Sequence, residues 1–178
     1  YSVCSDDKQG MKLALEYLFR RGHRRIGLLT LCFLSPEGNL IQATRFRSFL
    51  ELCDRTPEVT GFHRNLQQRT ELHRILRELV DENCTAIIAA GESLGAITAQ
   101  ALRDFRLRIP EDISLISSED SGISSCLTPP QTTIRQEMGR ICAEAVNMLN
   151  RQIAGLPVHN VTVPYSLLER KSVADITR

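Results

Sequence analysis

Apolar residues recur along this chain at two alternating periods. Met11, Ala14, Leu15 and Leu18 stand three or four apart, the spacing of one helix face, and predict a helix over 8–21. Asp6 or Asp7 stands where an N-cap belongs, and Gly22 where a left-handed residue ends a helix. Arg25–Leu31 (RIGLLTL) is apolar without alternation, as in a strand covered on both faces. A loop follows at 32–39, then a helix over 41–54 and a strand over 58–62. Thr70 opens a further helix, whose buried face would carry Leu72, Ile75, Leu76, Leu79 and Val80. The run 85–90 (TAIIAA) is a second buried strand, 91–93 a loop, 94–105 a helix and 113–117 a third strand. A short strand is also expected near Val3. Strands separated by helices of this length make right-handed βαβ units and a parallel sheet with helices on both faces.

The pattern changes after Asp120. Residues 121–130 (SGISSCLTPP) are small or proline-rich and read as a crossover. A short strand at 133–135 leads into a helix over 137–153, which Gly155 and Pro157 end. Two strand-like pieces then flank Pro164 within 161–168. A chain that builds most of one sheet and leaves it for a single helix fits a two-lobed protein whose second lobe lies largely elsewhere.

Composition narrows the function classes. The 178 residues are 42% hydrophobic and 24% charged, a globular balance. The net charge of +1 speaks against a nucleic-acid module acting alone, since phosphate binding needs a basic surplus. Nothing approaches the ~20 apolar residues of a membrane span. The opening YSVCSDD resembles no secretory signal and reads as the interior of a longer protein, so upstream sequence is expected, with a cytoplasmic location. Cys4, Cys32, Cys53, Cys84, Cys126 and Cys142 form no C-x-x-C pair or zinc spacing, and read as reduced thiols. His23, His63, His73 and His159 lack ligand spacing. Neither metal nor cofactor is expected.

Ligands of open parallel sheets bind outside the carboxyl ends of the strands. The polar residues there are Glu92 and Ser93 after TAIIAA, Glu119 and Asp120 after ISLIS, and Arg45 in the turn after the RIGLLTL loop. Carboxylates accept paired hydroxyls and Arg donates in a fixed fork, a set suited to a neutral polyhydroxylated or nitrogenous small molecule. The competing reading is that these acids cap the following helices. Gly91-Glu92-Ser93-Leu94-Gly95 also fits the G-x-S-x-G elbow of serine hydrolases, with Asp112 or Asp120 and His159 in the required order, although no oxyanion segment accompanies it. Arg20, Arg21, Arg24 and Arg25 read as a solvated helix end, and Ser5-Asp6-Asp7-Lys8 as a helix start.

Several stretches resemble the effector-binding region of the LacI/GalR family of bacterial transcriptional regulators. They are Leu18-x-x-x-Gly22-His23-Arg24-Arg25-Ile26-Gly27, Arg45-x-x-Ser48-Phe49 and the segment Leu107-Arg108-Ile109-Pro110-Glu111-Asp112-Ile113-Ser114. Leu127-Thr128-Pro129-Pro130-Gln131-Thr132-Thr133-Ile134 and Leu167-Leu168-Glu169-Arg170-Lys171-Ser172 complete the series. The resemblance implies a type I periplasmic-binding-protein-like α/β fold, here mostly the C-terminal lobe. Residues 1–6 would be a crossover from the N-terminal lobe, 7–136 the C-terminal lobe, 137–164 a segment returning to the N-terminal lobe, and 165–178 a crossover back. The DNA-binding head and most of the N-terminal lobe would lie outside this chain. Effector contacts carry over to Arg45, Glu92, Ser93, Glu119 and Asp120, and loosely to Lys8 or Gln9. Glu92, Ser93 and Glu119 depart from the family's Asn, Asp and Asp, and Ser48 and Gln131 from its Gly and Leu, which leaves effector identity open.

The resulting expectation is an effector-sensing domain that takes a sugar or related polar metabolite between two lobes. It would work as a homodimer and act on operator DNA through an absent helix-turn-helix head, without membrane contact. Arg45→Ala is expected to abolish the response while folding is retained. The alternatives are an extracytoplasmic solute-binding protein and a serine hydrolase built on Ser93.

Overall fold

The computed structural model describes residues 1–31, 40–91 and 93–177. The elements are β1 (Val3–Ser5), α1 (Asp7–Arg20), β2 (Arg25–Leu31), α2 (Leu40–Asp54), β3 (Thr60–Leu66), a 3-10 turn (Arg69–Glu71) and α3 (Leu72–Asp81). They continue with β4 (Ala86–Ala90), α4 (Leu94–Asp104), β5 (Ser114–Ser117), α5 (Gly122–Cys126), β6 (Thr132–Arg135), α6 (Met138–Ile153), β7 (Val161–Val163) and β8 (Ser166–Leu168). No helix among the described residues is long and apolar enough to cross a membrane.

Six strands form one sheet in the order β3-β2-β4-β5-β6-β8, parallel except for the antiparallel edge pair β6–β8. Its two faces explain the strands that lack alternation. In β2, Ile26 and Leu28 enter the core with Met11, Leu15 and Leu18 of α1 and Phe49 of α2. Leu29 and Leu31 enter the opposite core with Ile75, Leu76 and Leu79 of α3 and Leu94 and Leu102 of α4. With helices on both faces neither side of the strand meets water, and each fully buried Leu or Ile contributes about 1.5–3 kcal/mol.

Helix ends follow local chemistry. Asp6 caps α1 by accepting from the Gln9 amide at 2.9 Å. Beyond α1 and α6 stand Gly22 (φ +88°) and Gly155 (φ +69°), and beyond α3 and α4 stand Asn83 (φ 54°) and Arg106 (φ 62°), all left-handed. Arg106 holds that conformation with a Cβ, at a cost a glycine would avoid.

The structure corrects several boundaries. The strand expected at 58–62 is β3, Thr60–Leu66. It is an edge strand, so its half-buried polar residues conceal it. The helix expected from Thr70 begins as the 3-10 turn, and Val80 is half-buried. The crossover 121–130 contains the short helix α5. The predicted loop 32–39 lies outside the described residues, as does Cys32; the other five cysteines are free thiols.

The strands β1 and β7 pair in parallel as a separate two-stranded sheet with α6 against them. No residue of α6 is buried, and Met138, Val146, Leu149 and Ile153 are exposed along it.

Candidate functional site

The carboxyl ends of β4, β5 and β6 open onto one side of the six-stranded sheet. There Ser93, Ser118, Glu119, Asp120, Ser121, Arg135, Gln136 and Met138 line a depression of about 310 Å³. Three of the residues expected from sequence are therefore brought together: Ser93, Glu119 and Asp120. Glu92 lies outside the described residues. Arg135 and Gln136 were missed, although they obey the same rule, being the polar residues at the end of β6.

Each member is held by its neighbours. Ser93, left-handed at φ 59°, precedes α4, and its amide donates to Glu119 Oε2 at 3.0 Å. That contact ties the end of β5 to the residue before α4 and is not a cap of the helix that follows Glu119. Asp120 accepts from Arg170 Nη2 at 2.7 Å and from the Thr133 hydroxyl at 3.1 Å. Arg170 also donates to the Gln131 carbonyl at 2.7 Å. The acid at this strand end is thus charge-paired rather than free.

Arg45 does not line the depression and meets it only through the lining residue Ser118. Its Nε donates to Asp7 Oδ1 at 2.7 Å, Nη2 to the Tyr165 hydroxyl at 3.1 Å, and Nη1 weakly to Ser118 Oγ at 3.4 Å. The residue is 8% exposed. Burial works against its charge, but the Tyr165 and Asp7 oxygens beside it more than offset burial and raise its pKa, so it stays a guanidinium. Truncating Arg45 would therefore remove a structural contact as well as a candidate ligand contact.

Gln9 and Lys8 do not line the depression. The Gln9 amide spans the Tyr165 backbone, accepting from its N–H at 2.8 Å and donating to its carbonyl at 3.3 Å. Lys8 is an exposed partner of Glu51 at 3.2 Å. Sequence reasoning could not see that Asp7, one residue earlier, supplies the counter-charge for Arg45.

The hydrolase arrangement is not assembled. His159 lines a different cavity, beside Glu144, Asn147 and Arg151 of α6. Asp112 is chelated by Arg108, whose side-chain and backbone N–H groups pull its carboxyl down to about 2. No histidine among the described residues stands within hydrogen-bond distance of Ser93. The basic cluster is likewise structural. Arg20 pairs with Glu16, Arg21 with Glu169, Arg24 lies over the Phe19 ring, and Arg25 donates to the Glu82 carbonyl at 2.7 Å.

Comparison with protein families matches residues 15–173 to the periplasmic binding protein-like domain. The chain belongs to that family. Similar proteins include the HTH-type transcriptional regulator MalR of Streptomyces coelicolor, 27% identical over 87% of this chain and 46% of the relative. The HTH-type transcriptional repressor PurR of Edwardsiella ictaluri is 31% identical over 94% of this chain and 50% of its own length. The chain thus spans about half the length of the curated relatives it matches. A solved LacI family regulator from Bifidobacterium animalis superposes with a TM-score of 0.86 at 22% identity, covering 98% of this chain and 69% of the other. A periplasmic binding protein/LacI regulator from Alkaliphilus metalliredigens, complexed with D-xylulofuranose, gives 0.81 at 22%, covering 96% and 65%. At that identity the two structures speak for the fold.

Proposed function

We propose that this domain is the effector sensor of a LacI-type DNA-binding regulator. It takes a small uncharged polar ligand, a sugar or nucleoside-like metabolite, at the carboxyl ends of β4, β5 and β6. The observation that carries the reading is the convergence of Ser93, Glu119, Asp120, Arg135 and Gln136 on one depression, with Arg45 behind Ser118. Charge supports the uncharged class. Arg45 is paired with Asp7, Arg170 with Asp120 and Arg135 with Glu137, so the cations a phosphate or carboxylate would seek are already matched.

A second lobe closes the depression in this reading. Residues 1–6 and 137–164, which hold β1, α6 and β7, belong to that lobe, and 165–178 return to the first. The uncovered apolar side chains of α6 fit such packing. Ligand held between lobes favours one lobe orientation, and that difference reaches operator DNA through a helix-turn-helix head in a cytoplasmic homodimer. The curated relatives, named as HTH-type regulators, support this assignment.

The test is a thermal-shift screen on the natural full-length protein, pairing neutral sugars and nucleosides with anionic counterparts such as gluconate and glucose 6-phosphate. The reading expects at least one neutral compound to raise the unfolding midpoint and to change operator affinity. A response confined to anions would overturn the ligand class; a ligand without effect on DNA binding would overturn the regulator assignment.

A further inference from the structure

Three connections join the β1–α6–β7 unit to the six-stranded sheet. They run from β1 to α1 at Asp6, from β6 to α6 at Gln136 and Glu137, and from β7 to β8 at Pro164 and Tyr165. All three converge on one side chain. The Tyr165 hydroxyl donates to Asp7 Oδ1 at 2.9 Å and accepts from Gln136 Nε2 at 3.0 Å and Arg45 Nη2 at 3.1 Å. One donor and two acceptor positions are all that a phenol has, so this hydroxyl is saturated. The main chain of Tyr165 is clasped by the Gln9 amide, and its ring lies against Gly10, where an added Cβ would stand 3.0 Å from Cδ2. Tyr165 is 5% exposed.

We propose that Tyr165 is the positioning residue that couples Arg45, beside the ligand site, to all three connections. The inference rests on the functional reading above, in which the ligand lies against Ser118, the neighbour of Arg45, and the β1–α6–β7 unit belongs to a second lobe. A ligand that draws on the Arg45 guanidinium competes with the phenol for its N–H groups. Removing one donor from a saturated buried hydroxyl leaves an acceptor unmatched, and the Asp7 and Gln136 contacts must adjust with it. Each of those contacts sits on a different connection, so a shift at Arg45 reaches the second unit by more than one path. Burial raises the phenol's pKa above its ordinary value, which keeps the proton that Asp7 accepts in place at neutral pH.

The experiment uses the natural full-length protein without ligand and compares it with Tyr165→Phe, which keeps the ring against Gly10. Amide hydrogen exchange should accelerate roughly tenfold or more in β1, β7 and the turn entering α1, as loss of a hydrogen bond to charged partners implies, with β2, β4 and β5 unchanged. The side-chain ¹⁵N resonances of Arg45 should shift, a readout that loosened packing elsewhere would not move. Arg45→Met should give the same exchange signature, and adding Tyr165→Phe to it should change little further. Gln136→Met, which removes one donor at the rim, reports the same clasp if the phenylalanine variant does not fold. Unchanged exchange in β1 and β7, uniform acceleration across the sheet, or full additivity of the two substitutions would each overturn the proposal. No ligand enters this test, so a failed ligand screen and a failed clasp are told apart.

Discussion

Removing Arg45 tests how far the candidate site is also a structural element. Arg45→Ala deletes a guanidinium whose side chain is 9% exposed and leaves Asp7, 13% exposed, without its partner at 2.7 Å. Losing one member of a buried pair costs about 3–5 kcal/mol, because the surviving charge stays desolvated and unmatched. The Tyr165 hydroxyl also loses a donor. Replacing both charges, as in Asp7→Asn with Arg45→Met, removes the stranded carboxylate and should cost about 1–2 kcal/mol, since buried pairs are often worth little against uncharged groups of similar volume. Urea unfolding of the natural protein, Arg45→Met, Asp7→Asn and their double variant closes the cycle, provided the m-value holds constant. The double variant should therefore be about 2–3 kcal/mol more stable than the Arg45 single, with a thermal midpoint roughly 10 °C lower for Arg45→Ala alone. A loss below about 1 kcal/mol for Arg45→Ala, or additivity within about 0.5 kcal/mol, would show that Asp7 finds other solvation and refute the reasoning.

Other outcomes follow from local geometry. In Gly61→Ala the new Cβ would lie 2.6 Å from Cys53 Sγ and 2.8 Å from Phe49 Cε1; a loss of about 1–3 kcal/mol is expected, partly recovered by adding Cys53→Ala, and chemical denaturation measures both. Arg106→Gly relieves a left-handed φ of 62° and should stabilise by about 0.5–1 kcal/mol, read as a higher unfolding midpoint. His63 lies beside the Phe46 ring and its Nε2 meets the Thr30 hydroxyl at 2.9 Å; burial first, and then Arg64, push its pKa down to about 4. The folded state therefore prefers neutral His63, and the contribution is whole above the unfolded value near 6.5 and lost as pH falls towards 4. The urea midpoint should be higher at pH 7.5 than at pH 5, and His63→Gln should reduce that difference. Burial lowers the pKa of His23 too, so its loss of stability runs in the same direction.

Much of this fold was legible because its signals are local. The bounds of β2 agree with the apolar run RIGLLTL, because a strand covered on both faces must be apolar throughout. The buried residues of α1 include all four expected at helical spacing, and Gly22 ends it as expected. The fragments LRIPEDIS and LTPPQTTI carried the family, and the rule that ligands gather at strand carboxyl ends placed Ser93, Glu119 and Asp120 on one depression. What the sequence could not contain is partnership at long separation. Arg45 meets Asp7 and Tyr165 across 38 and 120 residues, and Asp120 meets Arg170 across 50. No helical or strand period reaches that far, so the charge state of the site, the clasp at Tyr165 and the closeness of Arg135 and Gln136 to Glu119 arise only once the sheet brings its strand ends together. The edge strand β3 shows the same division. With polar residues such as His63, Arg64 and Asn65 it resembles a loop in isolation, and the register with β2, which sets Arg25 opposite Thr60 and Leu31 opposite Leu66, makes it a strand.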